Sequence, residues 1–327
     1  HGKRMANCKI TPSDFSEWKP DILGKGFFMR YVVQGRDYSG DVRCTIIRKA
    51  ADQDSHRGIL YIHGFSDYFF QKEMANRFVD EGYNFYAVDL RKYGRSYMDG
   101  QKMFQVRNLT EYFPDIQAGI ETMKEDGNHE IILMGHSTGG LTTSLYMQCS
   151  PDPTIKALIL NSPFFAWNLP KQMVRFGIPV LKILALLMPG IRVKGDGTNN
   201  YASTIACHLN GEWSYNIIWK PDIMPDVDAA WIRAIDNGQK MLKNGTVNVP
   251  VLLLHSDKSA KQGDPKEYYH RADAVLNVYD IAAAGRRIGR QVEEVTIKNG
   301  LHDLVLSSKE VREEVYRTIF QWLEKKE

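Results

Sequence analysis

Ser137 stands in Gly135-His136-Ser137-Thr138-Gly139-Gly140, directly after the apolar run 131–134 and directly before a helical pattern. A serine on so sharp a strand-to-helix turn needs small residues two positions to either side, because side chains there would collide with the adjoining elements. The spacing therefore marks Ser137 as a candidate nucleophile for acyl transfer. The backbone N–H of Thr138, at the start of the helix, then faces the place where a negatively charged carbonyl oxygen would form. His63-Gly64-Phe65 closes another apolar run, 59–62, and a loop N–H there, that of Phe65, is the candidate second donor. His63 precedes a glycine turn and reads as a brace for the loop. His302, in Asn299-Gly300-Leu301-His302-Asp303, follows the last strand-like run and is the candidate general base. Asp303 is its neighbour in the chain and points away from it, so it too reads as a loop brace. His56, His129, His208, His255 and His270 fit the task less well.

These residues need a scaffold that brings distant loops to one edge. The runs 28–34 and 42–48 with a turn at 38–41 read as a hairpin. Short apolar runs at 58–63, 83–90, 130–134 and 155–161 then alternate with helical patterns at 71–81, 110–125 and 138–149. Uniformly apolar strands separated by helices predict a mostly parallel sheet of about eight strands covered on both faces, an α/β fold whose functional loops lie at the carboxyl ends of the strands. Residues 164–246 break the rhythm with repeated prolines and a Gly/Asn-rich patch at 194–200, and are read as an inserted cap. The pattern resumes at 249–255, with a helix near 278–288, a strand at 293–297 and a closing helix at 309–325. Residues 1–163 and 247–327 thus form one core, with 164–246 as its cap.

Composition limits the partners. The chain has 327 residues, 42 basic against 39 acidic side chains, and a net charge of +3, too weak and dispersed to argue for nucleic acid. Cys8, Cys44, Cys149 and Cys207 show no metal-site spacing and are expected to be buried thiols. No metal or organic cofactor is expected. The opening HGKRMANCKI carries basic residues without an apolar run, so no signal peptide is expected in this chain, as suits a cytoplasmic protein or one whose leader has been removed. The longest apolar stretch, 176–189, is interrupted by Gly177, Pro179 and Lys182 and is shorter than the roughly 20 residues of a transmembrane span.

The sequence resembles the α/β-hydrolase superfamily, and within it the monoacylglycerol lipase, lysophospholipase and serine-aminopeptidase-like group. The resemblance rests on HGF at 63–65, Asp89-Leu90-Arg91 with Gly94 and Ser96, GHSTGG at 135–140, Asn161-Ser162-Pro163 and Gly300-Leu301-His302. It implies a Ser-His-Asp triad whose acid lies three residues after the glycine that closes the strand following the cap. In this chain Ser256 replaces that glycine, and the third residue on is Ser259. Asp273, in Ala272-Asp273-Ala274-Val275-Leu276-Asn277, resembles the family's stretch leading into the next helix, and its spacing to His302 leaves room for one helix and one strand. Asp273 is therefore favoured, with 258–272 as an insertion, while Asp257 and Asp264 remain alternatives. The family usually has glycine where Lys92 stands; that loop is assigned no catalytic role.

The expected function is hydrolysis of carboxylic esters, lysophospholipase-like or monoacylglycerol lipase-like, through an acyl-serine. The apolar stretch 173–188 and Trp167, Trp213, Trp219 and Trp231 suit a small-molecule ester with an apolar acyl group, although most of these side chains are expected to form the cap's own core. Two other readings belong beside it. An aminopeptidase would use Asp222, Asp226 and Asp228 to hold an amine, and a catalytically silent binding protein would use the same scaffold without turnover. The oligomeric state is not fixed by any of these features.

Overall fold

The computed structural model describes residues 11–326 of the chain. Its hairpin consists of β2 (Phe28–Asp37) and β3 (Gly40–Lys49), preceded by a two-residue edge strand β1 (Lys19–Pro20). Then follow β4 (Arg57–Ile62), α1 (Lys72–Asp80), β5 (Asn84–Asp89), α2 (Phe113–Glu125), β6 (Glu130–His136), α3 (Thr138–Cys149) and β7 (Ile155–Asn161). The segment after β7 carries α4 (Ile178–Leu187), β8 (Arg192–Val193), α5 (Asn200–Ile205), β9 (Val227–Asp228) and α6 (Ala229–Lys243). The core resumes with β10 (Val251–Ser256), α7 (Lys266–Tyr269), α8 (Val278–Gly285), β11 (Val292–Ile297) and α9 (Lys309–Glu324).

The sheet has nine strands in the order β1-β2-β3-β5-β4-β6-β7-β10-β11. This exceeds the expected eight by β1, whose proline at the sheet edge gave no strand signal. The β1–β2, β2–β3 and β3–β5 pairs are antiparallel, and every pair from β5 to β11 is parallel. Alternation along each strand divides the core between two faces. Leu60 and Val88 join Ile116, Ile120, Leu141 and Ile281 under α2, α3 and α8. Ile59, Tyr61 and Phe85 join Phe78, Tyr316 and Phe320 under α1 and α9. Because β4, β6, β10 and β11 run parallel, the loops after them open on one edge.

Close approach of α3 to β4 is what the glycines permit. A Cβ on Gly139 would lie 2.3 Å from the His63 carbonyl oxygen and 2.4 Å from that of Ile62. The helix can therefore start immediately above the end of β4 without a spacer.

Two expectations fail. Residues 173–188 do not form an inner core: within α4 only Ile178 and Ala185 are buried, whereas Met173, Phe176, Val180, Ile183, Leu186, Leu187 and Met188 are exposed. Helical periodicity predicts an apolar stripe but cannot say whether a second layer covers it. Likewise Cys44 is buried, but Cys149 and Cys207 are exposed, and Cys8 lies outside the described residues. Among the described residues no helix is long and apolar enough to cross a membrane.

Gly139→Ala drives a methyl group into two backbone oxygens that cannot move independently of β4. The expected loss is about 3 kcal/mol, at the upper end for overpacking, measured as a lower denaturant midpoint with an unchanged m-value.

Candidate active site

Ser137 lies between the end of β6 and the start of α3 with φ +55° and ψ −119°, a conformation L-residues rarely adopt. Its backbone is held on both sides: its N–H donates to the Asn161 carbonyl oxygen at 3.1 Å, and its own carbonyl accepts from Gly140 and Phe164, each at 2.9 Å. The flanking residues must be small, since a Cβ on Gly135 would lie 2.4 Å from the Gly139 carbonyl oxygen, and one on Gly64 would lie 3.1 Å from the Ser137 Cβ. The side chain emerges from a buried turn at the carboxyl edge, with 8% of the residue exposed.

Two backbone donors flank the serine. Thr138 is the first residue of α3, and Phe65 follows the close Gly64–Ser137 contact; neither N–H donates to a described residue. The Gly64 N–H, in contrast, is taken by Asp67 Oδ2 at 3.1 Å. His63 braces this loop: Leu90 N–H donates to its Nε2 at 3.0 Å, which leaves Nδ1 to donate to the Gly64 carbonyl at 2.8 Å.

His302 Nδ1 lies 2.9 Å from Asp273 Oδ2, with both side chains buried. The other oxygen of Asp273 accepts from the N–H groups of Val275 and Leu276, each at 2.8 Å. Such a carboxylate fixes the imidazole tautomer and leaves Nε2 to accept a proton. The other two candidate acids are used elsewhere. Asp257 accepts from the Asn299 N–H at 2.9 Å and from Lys258, and Asp264 accepts from the Lys261 N–H. Asp303 turns away from the imidazole to accept from Gln71 Nε2 at 3.0 Å and Asn161 Nδ2 at 2.9 Å.

The place of Asp273 in the chain has a simple backbone explanation. Ser259 forms a β-bridge with Asp273, the Ala260 N–H donates to the Asp273 carbonyl, and the Asp273 N–H donates to the Lys258 carbonyl. Residues 261–272 thus form an excursion closed at its base. It returns the chain so that Asp273 stands beside Ser259, the position where the resemblance expects the acid.

Other groups at this edge carried no sequence signal. Tyr201 packs edge-on against His302 with ring centroids 5.6 Å apart, and its hydroxyl accepts from the Asp303 N–H at 3.0 Å. His136 lies 4.7 Å from the His302 ring; burial, with the neighbouring His302, holds it below its ordinary value of 6.5 despite Asp303. Lys220 reaches from the segment between β7 and β10 to Asp67 Oδ1 at 3.1 Å, with both side chains largely buried. Burial alone would raise the Asp67 pKa, but Lys220, then His63 and His136, and the Gly64 N–H hold it below the usual 3.8. The two partners stand 153 positions apart, so only the fold joins them.

The carboxylates considered for amine binding already have partners. Asp222 bonds His208, Asp226 bonds Arg192 and the Gly195 N–H, and Asp228 caps α6 while pairing with Lys102. Lys92 keeps the backbone of the glycine it replaces, with φ +68°, while its buried ammonium pairs with Asp37 Oδ2 at 2.6 Å. Among the described residues no group of three or more His, Cys, Asp or Glu is arranged to hold a metal ion.

Residues 53–305 match the model of the family described as serine aminopeptidase, S33. The chain is 28% identical to mouse epoxide hydrolase 4 over 105 residues, 32% of this chain and 28% of that protein. It spans 28% to 31% of the length of the curated relatives it matches. Among solved structures, a soluble variant of Saccharomyces cerevisiae monoglyceride lipase in complex with a substrate analogue superposes with a TM-score of 0.63 at 17% identity, over 90% of this chain and 94% of that one. The monoacylglycerol lipase of Paleococcus ferrophilus gives 0.60 at 16% identity, over 91% and 99%. At such identities the likeness carries the fold, an α/β-hydrolase fold.

Removing Lys220 leaves a buried carboxylate without its cation, which for such pairs costs about 3 kcal/mol. Asp67 has a lowered folded-state pKa, so its contribution is present above 3.8 and lost as pH falls through the folded value. Lys220→Met is therefore expected to be destabilised most near neutral pH, and the gap to wild type should narrow as pH falls, first as the variant's Asp67, raised by burial without its cation, protonates and then as the wild type's does. Urea melts at pH 7 and at acid pH measure both.

Proposed function

Because the chain belongs to the serine aminopeptidase S33 family of α/β-hydrolases, we propose that it is a serine hydrolase cleaving carboxylic esters that carry an apolar acyl group. The observation that carries this reading is the buried 2.9 Å bond between His302 and Asp273, at the same sheet edge as a serine in a strained turn. Asp273 keeps the Nδ1 proton on His302 and stabilises the imidazolium. Nε2 takes the Ser137 hydroxyl proton as the oxygen attacks the ester carbonyl. The N–H groups of Phe65 and Thr138 receive the oxyanion, each such donor typically contributing about 10² to 10³ in turnover. The imidazolium then protonates the leaving alcohol. Water attacks the acyl-serine with His302 again as base, releasing the acid and restoring Ser137.

Residues 164–246 serve in this reading as a cap over the carboxyl edge. Phe65, Phe104 and Trp231 pack beside the proposed donor, with the Phe65 ring 5.5 Å from Phe104 and 4.8 Å from Trp231. Aromatic surface there favours an acyl chain over a charged head group. A lysophospholipase-like or monoacylglycerol lipase-like substrate fits these surroundings. The family's name raises a peptidase as the second reading, but Asp222, Asp226 and Asp228 are each already engaged, with His208, with Arg192 and the Gly195 N–H, and with Lys102 and the Trp231 N–H.

A fluorophosphonate is expected to label Ser137 in the folded protein and to spare Ser137→Ala; absence of labelling in the wild type would overturn the enzyme reading. Esters of graded acyl length should be hydrolysed with a chain-length optimum, while aminoacyl amides are not. Asp273→Asn should lower kcat about 10⁴-fold, with Asp257→Asn within a few-fold of wild type; steady-state kinetics on one soluble ester decides between them.

A further inference from the structure

The exposed face of α4 and the turn before it carries large apolar side chains where a monomer surface ordinarily places polar ones. Phe176 is 62% exposed, Ile183 63% and Leu187 77%, and Met173, Val180, Leu186 and Met188 extend the same surface. The opposite face accounts for the packing of the helix: Ile178 and Ala185 are buried, and Lys182 pairs with Asp236 of α6 at 2.7 Å. The exposed residues are thus not needed to seat α4. A contiguous apolar patch of this kind marks an interaction surface.

The charges beside it select the partner. From Pro163 to Gly195 the chain has no aspartate or glutamate, but it has Lys171, Arg175, Lys182, Arg192 and Lys194. Lys182 and Arg192 are neutralised by Asp236 and Asp226, whereas Lys171 and Arg175 form no ion pair among the described residues and are exposed. Arg175 lays its guanidinium 5.2 Å from the centroid of the Phe176 ring, so an apolar ring and a cation share one spot. That combination suits the boundary between acyl chains and anionic head groups, where the stem and ring sink and the cation stays at the phosphate level.

We propose that this face of α4, with Met173 and Phe176 before it, docks the protein on an anionic lipid surface, with Lys171 and Arg175 at the head groups. The end of α4 is tied to the elements around the proposed site. The Pro189 carbonyl, just past α4, accepts from the Ala230 N–H, and the next residue, Trp231, packs on Phe65. The inference extends the ester-hydrolase reading by naming where a water-insoluble ester would be met, but the docking itself does not depend on turnover.

Vesicle flotation of the full chain tests it, with phosphatidylcholine alone and with phosphatidylcholine containing phosphatidylglycerol. The wild type should float with the anionic vesicles and weakly or not at all with the neutral ones. The double variant Phe176→Ser/Leu187→Ser should lose at least about tenfold in partitioning, from the apolar area withdrawn. Lys171→Gln/Arg175→Gln should lose about fivefold or more per charge on anionic vesicles only. All of these positions are exposed, so hydrolysis of a soluble short-acyl ester should be unchanged. Wild type that stays with neither vesicle overturns the proposal. So does a dimer in sedimentation velocity that dissociates in the serine double variant, which would make a second copy the occupant of this face. Flotation without ester hydrolysis would sink the enzyme reading and leave the docking surface standing.

Discussion

A Cβ on Gly139 would overlap the carbonyl oxygens of both Ile62 and His63, and one on Gly135 would overlap the carbonyl oxygen of Gly139. With no side chains there, α3 begins against the end of β4, and the turn between β6 and α3 has room for one residue only in a left-handed conformation. Ser137 takes it, at φ +55°. The same packing leaves so little room at Gly64 that a Cβ there would lie 3.1 Å from the Ser137 Cβ, which sets the His63–Phe65 loop close beside the serine. Backbone donors positioned by packing of this kind need no reorganisation when charge appears beside them, the property that makes oxyanion stabilisation effective.

Buried ion pairs hold the loops that border this contact. Asp89 accepts from the Phe69 and Arg95 N–H groups, and Arg95 spans from Asp89 to Asp21 with its guanidinium buried. Arg91 is paired to Asp115 of α2 within the same loop. Each pair carries a desolvation penalty that an apolar substitute would avoid, so their contribution is better understood as fixing loop geometry than as raising stability. Lys220 extends the same device outward. Its bond to Asp67 joins the segment between β7 and β10 to the loop whose Gly64 N–H Asp67 holds, so movement of that segment and the position of Phe65 are mechanically linked.

The parallel core was legible because strands buried on both faces read as unbroken apolar runs, and α3 and β7 fall where the pattern puts them. Ser137 and His302 were legible for a related reason, since short-range rules about glycine and strand ends govern them. Asp273 was harder. Its partner on the backbone is Ser259, and a bridge across an excursion of a dozen residues leaves no mark in local spacing. Lys220, Tyr201 and His136 were not legible, because their contacts depend on how separate segments cross the sheet edge. At Lys92 the sequence showed the departure from glycine but not how lysine is accommodated: it stands at φ +68°, with the ion pair to Asp37 holding the side chain in place.

The apolar stretch at 173–188 shows the limit of periodicity most clearly. Its spacing is compatible with a helix packed inside a cap or with one that turns an apolar face outward, since both put large residues three and four positions apart. What separates the two is the number of covering layers, and here α6 lies beneath α4 while nothing among the described residues covers the other side of it. Leaving Phe176, Ile183 and Leu187 mostly in water forgoes the larger part of the roughly 1.5–3 kcal/mol that full burial of such a side chain contributes. The absence of acidic residues from Pro163 to Gly195 points the same way, because a face that only had to stay soluble would be served better by carboxylates than by the lysines and arginines found there.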